Sequence, residues 1–227
     1  MARLARVVVP GLPHHVTQRG NRRQEVFFSP EDYEAYRELL TRSAQAHGVR
    51  CLAWCLMPNH VHLILVPPAP DALRAALAEA HRRYSRRINF AKGWTGYLWQ
   101  GRFASYPMDE AHLMTAIRYV ELNPVKAGLA PRAEDWPWSS ARAHVTGARD
   151  GLTDLPALAG VHRNWRAMLR HGLDAADLDE SDVAAIENRM STGRPWGDQA
   201  FVANLEERTG RKLARAKPGP KRRADES

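Results

Sequence analysis

The chain of 227 residues is poor in cysteine and has no long hydrophobic segment. Its two cysteines, Cys51 and Cys55, lie in one apolar segment, which excludes a disulfide framework and favours a reducing compartment. No apolar run approaches the roughly 18 residues that a transmembrane helix needs, and the apolar stretch near the N-terminus is too short for a signal-peptide core. We therefore expect a cytoplasmic protein with no membrane partner.

A Gly-rich phosphate-binding loop is also absent, so no nucleotide or other small-molecule cofactor is expected. What is present is the composition of an ordinary globular protein, with 44% hydrophobic and 26% charged residues. Lys and Arg number 33 against 25 Asp and Glu, which gives a formal net charge of +8. This excess indicates a polyanionic partner, although net charge alone establishes only non-specific attraction.

Turn-forming residues and charge divide the chain into three parts. The stretch 147–156 is rich in Gly, Asp and Pro and marks a domain boundary. We predict a main domain over residues 1–146, a helical C-terminal extension over residues 147–210 and a basic, disordered and flexible tail over residues 211–227. The tail carries seven Lys and Arg residues together with Pro218-Gly219-Pro220.

The main domain has the predicted element order βαββαβα. Strands are predicted over residues 15–19, 50–57, 61–66 and 97–106, and helices after the capping residues Ser29, Asp71 and Asp109. The last helix is expected to end at Asn123-Pro124, because proline disfavours helical backbone in the residue before it. This order predicts an α+β, ferredoxin-like split βαβ fold, with a central antiparallel sheet and helices on it.

The cysteines lie within the predicted strand 50–57. Because Cys51 and Cys55 are four residues apart, they are expected on one face of that strand. Zinc sites need more ligands than these two, so both are predicted to be buried thiols.

His60 and His62 lie two residues apart at the start of the predicted strand 61–66. Their imidazoles are therefore expected on one face of the sheet, with Val61 on the other. Two neutral imidazoles at this spacing can chelate one divalent cation. For an isolated His-X-His, two half-buried histidines with ordinary hydrogen bonds are the more common case.

The helix predicted after Asp109 has a core stripe of Leu113, Ile117 and Val120. Tyr119 and Asn123 share a neighbouring, polar face, since residues four apart lie about one turn apart. From this helix alone, Tyr119 is better interpreted as an amphipathic residue at the rim of the core.

Taken together, these segments resemble a known family. The string Cys-Leu-Met-Pro-Asn-His-Val-His-Leu over residues 55–63 is similar to the metal motif of the IS200-like single-tyrosine (HUH) transposases. More narrowly, it resembles the bacterial transposases associated with repetitive extragenic palindromes (REP). Further matching blocks follow in the family's order, and these are HVTQRGN (15–21), LWQGRF (98–103), RYVELNPVKAGL (118–129) and WPWSS (136–140).

The resemblance implies a role for each matching residue. His60 and His62 would hold a Mg²⁺ or Mn²⁺ ion, Asn123 would complete the metal site, and Tyr119 would be the nucleophile. The substrate would be single-stranded or hairpin DNA carrying palindromic repeats. Cleavage would leave a 5′-phosphotyrosine and a free 3′-hydroxyl, and a 3′-hydroxyl would later reverse the linkage. Relatives act as monomers or homodimers, so the oligomeric state stays open.

DNA contacts are expected outside the metal site. The candidate phosphate contacts are Arg19, Arg22, Arg82, Arg83, Arg86 and Arg102. The aromatic candidates for stacking on splayed bases are Trp94, Tyr97, Trp99 and Phe103. The alternatives are a solvated surface for the arginines and a core position for Trp99 and Phe103.

Two other functions compete with strand transfer. The chain could be a non-catalytic or domesticated DNA-binding regulator that acts on palindromic repeats. It could also be a metal-dependent hydrolase that uses water and forms no covalent link to DNA.

Overall fold

A computed structural model of the protein describes residues 5–161, 164–171 and 180–214, and its centre is a four-stranded sheet. The strands are β1 (His14–Arg19), β2 (Arg50–Met57), β3 (His60–Val66) and β4 (Ala104–Pro107). The helices are α1 (Pro30–Ala46), α2 (Ala72–Lys92), α3 (Glu110–Lys126), α4 (Ala141–Thr146), α5 (Trp165–His171), α6 (Glu180–Thr192) and α7 (Gln199–Thr209). Among these described residues, no helix is long and apolar enough to span a membrane.

The sheet has the strand order β2-β3-β1-β4, and each neighbouring pair is antiparallel. Helices α1 and α2 pack on one face, whereas α3 packs on the other. The predicted element order and the α+β, ferredoxin-like fold are therefore confirmed.

Alternation along β1 and β3 separates the two cores. Val16, Val61 and Leu63 are buried in the core beneath α1 and α2. His15 and His62 project to the opposite face, towards α3. The sheet thus supports an apolar core on each face, and the α3 face also carries a polar cluster that includes these two histidines.

The expectation that both cysteines share a face of β2 is wrong. Cys51 belongs to the core beneath α1 and α2, whereas Cys55 belongs to the core beneath α3. The register between β2 and β3 shifts between Cys51 and Ala53, and such a bulge adds one residue that inverts the alternation. Both thiols are free and buried, and burial raises the pKa of each one.

The fourth strand is shorter than predicted and begins only at Ala104. Residues 97–103 instead form an irregular segment, in which Trp99 makes an isolated bridge with Gly20. Gly101 has a φ of +59°, which is left-handed backbone and interrupts an extended strand. Leu98, Trp99 and Phe103 are nonetheless buried, so hydrophobicity alone did not distinguish this segment from a strand.

Helix α3 begins as predicted, because the Asp109 side chain accepts a hydrogen bond from the backbone nitrogen of His112 at 3.0 Å. Its predicted end at Asn123-Pro124 is wrong, since the helix continues to Lys126. Pro124 cannot donate to the carbonyl of Val120, but it lies in the last turn, where one missing bond is tolerated. The Asn123 side chain adds a local bond by donating to the carbonyl oxygen of Tyr119 at 3.0 Å.

The C-terminal helices follow the predicted main domain, although the boundaries at residues 146 and 210 stay predictions. Residues 215–227 of the predicted tail lie outside the described residues. Before them, Leu213 is buried in a small cluster with Val7, Val9 and Leu205. Arg211 donates hydrogen bonds to the carbonyl oxygens of residues 5 and 6.

A buried carboxylate fixes α3 to α4 and α5. Glu121 is fully buried and accepts hydrogen bonds from Ser140 Oγ at 2.5 Å and from Trp165 Nε1 at 2.9 Å. Its Oε1 also lies 2.5 Å from Nδ1 of His144, whose side chain is only 2% exposed. Glu121, two residues after Tyr119 in α3, therefore links α3 to α4 and α5.

We expect Glu121→Ala to lower the free energy of unfolding by about 3–5 kcal/mol, because it leaves buried donors without an acceptor. Glu121→Gln preserves the shape and is expected to cost less. Urea denaturation followed by circular dichroism measures both changes. The matched control is Glu79→Ala, which removes only exposed ion pairs to Arg82 and Arg83 and is expected to cost less than about 1 kcal/mol. Equal effects of the two alanine substitutions would contradict this account.

Candidate active site

Two imidazoles from the start of β3 form the centre of the candidate site. The ring centroids of His60 and His62 are 4.8 Å apart, and both rings lie on the α3 side of the sheet. The two-residue turn of Pro58 and Asn59 places His60 opposite Met57, at the end of the β2–β3 hairpin. The spacing of the two histidines thus produces the shared face that was predicted for them.

The tautomer of His60 is fixed by Asn59. The Asn59 amide nitrogen donates to the carbonyl oxygen of Arg23 at 3.1 Å, which turns Oδ1 towards the imidazole. Nδ1 of His60 lies 2.6 Å from this Oδ1, and an amide oxygen can only accept. His60 Nδ1 must therefore carry the proton, and the Nε2 lone pair is left for a cation.

His62 is oriented by a second buried pair. Its Nδ1 lies 3.0 Å from Nε2 of His15, and Nδ1 of His15 lies 2.9 Å from the Tyr106 hydroxyl. When His62 donates to His15 and His15 donates to Tyr106, Nε2 of His62 is also left as a metal ligand. Sequence reasoning assigned no role to His15 or Tyr106. The signal that identifies them is the register, which pairs His15 with Ile64 and with Tyr106 across the sheet.

Both histidines are held in the neutral form. Burial lowers the pKa of His60 to about 4, and the nearby Arg19 adds to this shift. Burial also holds the pKa of His62 well below its usual value, with smaller contributions from His60, His15 and Arg19. Metal ligation requires neutral imidazole, so both rings are in the form that can bind a cation.

Tyr119 reaches the histidines from α3. Its ring centroid is 5.5 Å from that of His62 and 6.0 Å from that of His15, with the rings edge to face. The side chain is 8% exposed, and burial raises the pKa of Tyr119. A hydrogen bond with the Asn123 side chain and the charge of Arg19 lower that pKa in part. The phenol is therefore protonated at neutral pH.

A metal ion at this site would need oxygen ligands as well as imidazoles. The described part of the chain contains no group of three or more His, Cys, Asp or Glu side chains arranged to hold a metal. The half-buried Asn123 lies one turn after Tyr119, and its amide could supply an oxygen. Two neutral imidazoles with oriented Nδ1 atoms fit a divalent cation such as Mn²⁺, and open positions would remain for phosphate oxygens.

The six arginines proposed as DNA contacts fall on different surfaces. Arg19 pairs with His60 in the sheet and lies on the α3 side. Arg22 is exposed in the turn after β1, where its φ is +53°. The other four, Arg82, Arg83, Arg86 and Arg102, are exposed on the α2 side or at the segment before β4. Arg19 is thus the one that lies beside the histidines and Tyr119.

The four aromatic candidates divide into two exposed and two buried residues. Tyr97 is 88% exposed and Trp94 is 42% exposed, so both rings are accessible. Trp99 and Phe103 are buried in the core beneath α2. The alternative of a core position therefore holds for those two residues.

Comparison with known proteins identifies the family. The sequence model described as "Transposase IS200 like" matches residues 8–123, slightly more than half of the chain. The chain belongs to the IS200-like transposase family. The match includes β1, both histidines of β3, Tyr119 and Asn123. Two curated relatives of this transposase are named tyrosine transposases.

Two curated relatives each align with about half of this chain. A Haemophilus influenzae protein assigned to the REP-associated tyrosine transposases is 27% identical in an alignment 121 residues long, which covers 48% of this chain and 69% of the relative. The REP-associated tyrosine transposase of Escherichia coli strain K12 is 22% identical over 126 residues, 55% of this chain and 73% of the relative. A solved REP-associated tyrosine transposase bound to a REP hairpin matches with a TM-score of 0.55 and 23% identity. That alignment covers 68% of this chain and 93% of the solved one and supports the common fold.

Proposed function

We propose that this transposase cleaves and rejoins single-stranded or hairpin DNA of palindromic repeats, with Tyr119 as the nucleophile. The observation that carries the proposal is the placement of the Tyr119 ring edge-on to His62, with ring centroids 5.5 Å apart. His60 and His62 each use Nδ1 in a hydrogen bond to a neighbouring side chain, so both Nε2 atoms suit a Mg²⁺ or Mn²⁺ ion. Such an ion supplies Lewis-acid polarisation of the scissile phosphate.

The chain's own residues would perform the substitution at phosphorus. The Tyr119 hydroxyl oxygen forms a bond to the phosphorus atom, and the bond from phosphorus to the 3′-oxygen breaks. The phenol proton leaves to solvent and the departing 3′-oxygen takes one up, so the number of protons balances. Arg19 lies close enough to act on the charge of Tyr119 and would stabilise the negative charge that develops on the phosphate.

The covalent linkage would conserve the energy of the phosphodiester. A 3′-hydroxyl can then attack the 5′-phosphotyrosine, release Tyr119 and rejoin the DNA without an external nucleotide. Water as the nucleophile would instead release that energy and leave a simple cut. A tyrosine beside the histidine pair therefore supports strand transfer over hydrolysis.

The DNA partner is supported by charge and by one relative. The formal net charge of +8 favours a polyanion, and the solved relative is bound to a REP hairpin. We therefore propose single-stranded or hairpin repeats as the substrate of this chain as well.

The test uses pooled DNA hairpins with randomised single-stranded flanks, labelled at the 3′ end in one sample and at the 5′ end in another. With Mn²⁺ or Mg²⁺, the 3′ label is expected in a complex that resists denaturation, because the 5′-phosphate becomes attached to Tyr119. The 5′ label is expected in a shorter free fragment, and a chelator should prevent both products.

Two results would contradict the proposal. Cleavage without a covalent complex would indicate a metal-dependent hydrolase that uses water. Salt-sensitive binding without any cleavage would indicate a DNA-binding regulator on this scaffold.

A further inference from the structure

A separate cavity lies on the other face of the sheet, where α2 and the segment before β4 meet the end of β1. Its volume is about 300 Å³, which is at the lower end of the range for small-ligand sites. Its polar and aromatic lining consists of Gln18, His81 and Trp99, with Arg6, Arg74 and Arg102 around them. Phe103 completes the apolar wall. The proposed transfer reaction uses none of these side chains.

Two buried polar atoms in this lining have no hydrogen-bond partner within the described residues. Gln18 is 3% exposed and Trp99 is 7% exposed, yet Gln18 Oε1 and Trp99 Nε1 are both unsatisfied. The Gln18 amide nitrogen reaches the carbonyl oxygens of Gln100 and Gly101 at 3.5 and 3.4 Å, so the amide orientation is set. Buried polar groups are nearly always satisfied, so two such atoms in one cavity call for a bound partner, either water or a ligand.

The chemistry of the unsatisfied pair suits a nucleobase. Gln18 offers a hydrogen-bond acceptor, and Trp99 offers a donor. Every nucleobase carries donors and acceptors close together on one edge, so a single base can satisfy both atoms. A purely apolar ligand would leave both atoms unpaired.

The walls and the mouth of the cavity also suit a nucleotide. The rings of His81 and Trp99 have centroids 4.9 Å apart, and burial lowers the pKa of His81 to about 3, so its ring is neutral and suited to stacking. Arg74 and Arg102 are exposed, and Arg6 lies 3.9 Å from the centre of the Phe103 ring. No acidic side chain of the described chain lines this cavity, so its charge favours a phosphate.

The cavity adjoins the candidate active site through one strand. Gln18 and Arg19 are neighbours in β1, and the alternation of the strand directs them to opposite faces of the sheet. A smaller cavity of about 250 Å³ continues from this one along Arg6, Arg74 and Phe103 towards Asp71. The same end of the sheet therefore carries the histidine pair on one face and a basic groove on the other.

We propose that this cavity binds one unpaired base of the DNA strand. Gln18 and Trp99 contact the edge of the base, and Arg74 and Arg102 contact its phosphate. This proposal rests on the proposed function, because it assumes a DNA substrate, and it adds a base-recognition site to that function. A free deoxynucleoside monophosphate presents the same chemistry and is distinguished from DNA in the test.

The test measures DNA binding without the covalent reaction. A Tyr119→Phe protein is titrated, in chelator, with a fluorescent hairpin chosen from the randomised pool by its binding to the wild-type protein. Abasic sites are placed in turn at each position of the single-stranded flanks. We expect one position at which the abasic site weakens binding about 10-fold, as loss of a stacked and paired base does.

Second-site variants assign that position to the cavity. In the same background, Gln18→Met removes the acceptor, and Trp99→Phe removes the N–H group but keeps an aromatic ring. Each is expected to weaken binding of the intact hairpin and to abolish the penalty at the sensitive position. Trp138→Phe is the matched control, because Trp138 stacks on Tyr33 outside this cavity, and it should keep the full penalty. If the Trp99→Phe protein fails to fold, Arg102→Ala, at an exposed position, replaces it as the second cavity variant.

Three results would overturn the proposal. These are the absence of a sensitive position, a penalty that persists in both cavity variants, and Gln18-dependent binding of free deoxynucleoside monophosphates as tight as that of the hairpin. If a covalent complex forms with the wild-type protein but no position is sensitive, only the base site is wrong. If position-specific binding occurs but no covalent complex forms, only the strand-transfer chemistry is wrong. If no hairpin binds, both proposals fail.

Discussion

Protein carrying Tyr119→Phe is expected to form no denaturation-resistant complex with hairpin DNA. The substitution removes the hydroxyl oxygen that would attack phosphorus, and loss of a catalytic nucleophile lowers turnover by a factor above about 10³. Phenylalanine retains the ring that packs edge-on against His62 and His15. The free energy of unfolding should therefore change by only about 1 kcal/mol or less. The measurement is the yield of labelled adduct on a denaturing gel, together with a thermal melt of each protein.

Tyr33→Phe is the matched control for this substitution. Tyr33 has the same exposed fraction as Tyr119, 8%, but lies on the opposite face of the sheet in the core beneath α1. The Tyr33→Phe protein should form the adduct at the wild-type level. An adduct of undiminished yield with Tyr119→Phe would exclude Tyr119 as the nucleophile.

Alanine substitution of either His60 or His62 is expected to weaken Mn²⁺ binding by at least about 100-fold. Each change removes one of two proposed nitrogen ligands, and even loss of an outer-sphere partner costs 10- to 100-fold in affinity. Calorimetric titration of the wild-type and variant proteins with Mn²⁺ measures the loss directly. Adduct formation with hairpin DNA should fall in parallel with metal occupancy.

His47→Asn controls for the loss of an imidazole as such. His47 lies just after α1, and its Nδ1 is 2.8 Å from the carbonyl oxygen of Ser43, away from the α3 side of the sheet. This variant should bind Mn²⁺ like the wild type. Unchanged Mn²⁺ affinity in both the His60→Ala and the His62→Ala proteins would contradict the proposed metal site.

The element order was predictable because local signals agree with the tertiary structure. Asp109 caps α3 with its side chain, and the two apolar runs around Pro58-Asn59 form the β2–β3 hairpin. Alternation within β3 is unbroken, so a spacing of two was sufficient to place His60 and His62 on one face. Where period and capping act together, the sequence is a reliable guide to structure.

The three errors in the fold have a common physical origin. A bulge after Cys51, left-handed backbone at Gly101 and a proline in the last turn of α3 each change the structure within one or two residues. Each depends either on a strand or segment that is distant in sequence or, for the proline, on the fact that the last turn of a helix tolerates a missing hydrogen bond. Local periodicity contains no information about these features.

The candidate site was predictable only for residues on elements with a clear period. His15 and Tyr106 contribute through the register of three strands, and a single sequence does not reveal register. The same limit applies to the arginines. A pattern of charges does not show which face of the sheet α2 covers, and so it does not show which arginines lie on the side of the histidines. For this reason, Arg19 and Arg82 could not be separated before the structure was known.

The buried Glu121 network has a consequence for the path of the DNA. The carboxylate anchors the helix of Tyr119 to Ser140, His144 and Trp165 of the same chain. For α3 to carry away a 5′ end attached to Tyr119, these buried hydrogen bonds would have to break or α4 and α5 would have to move with it. On the proposed function, the incoming 3′ end would then have to reach Tyr119 where α3 holds it, and the folding of the DNA would govern which ends meet there.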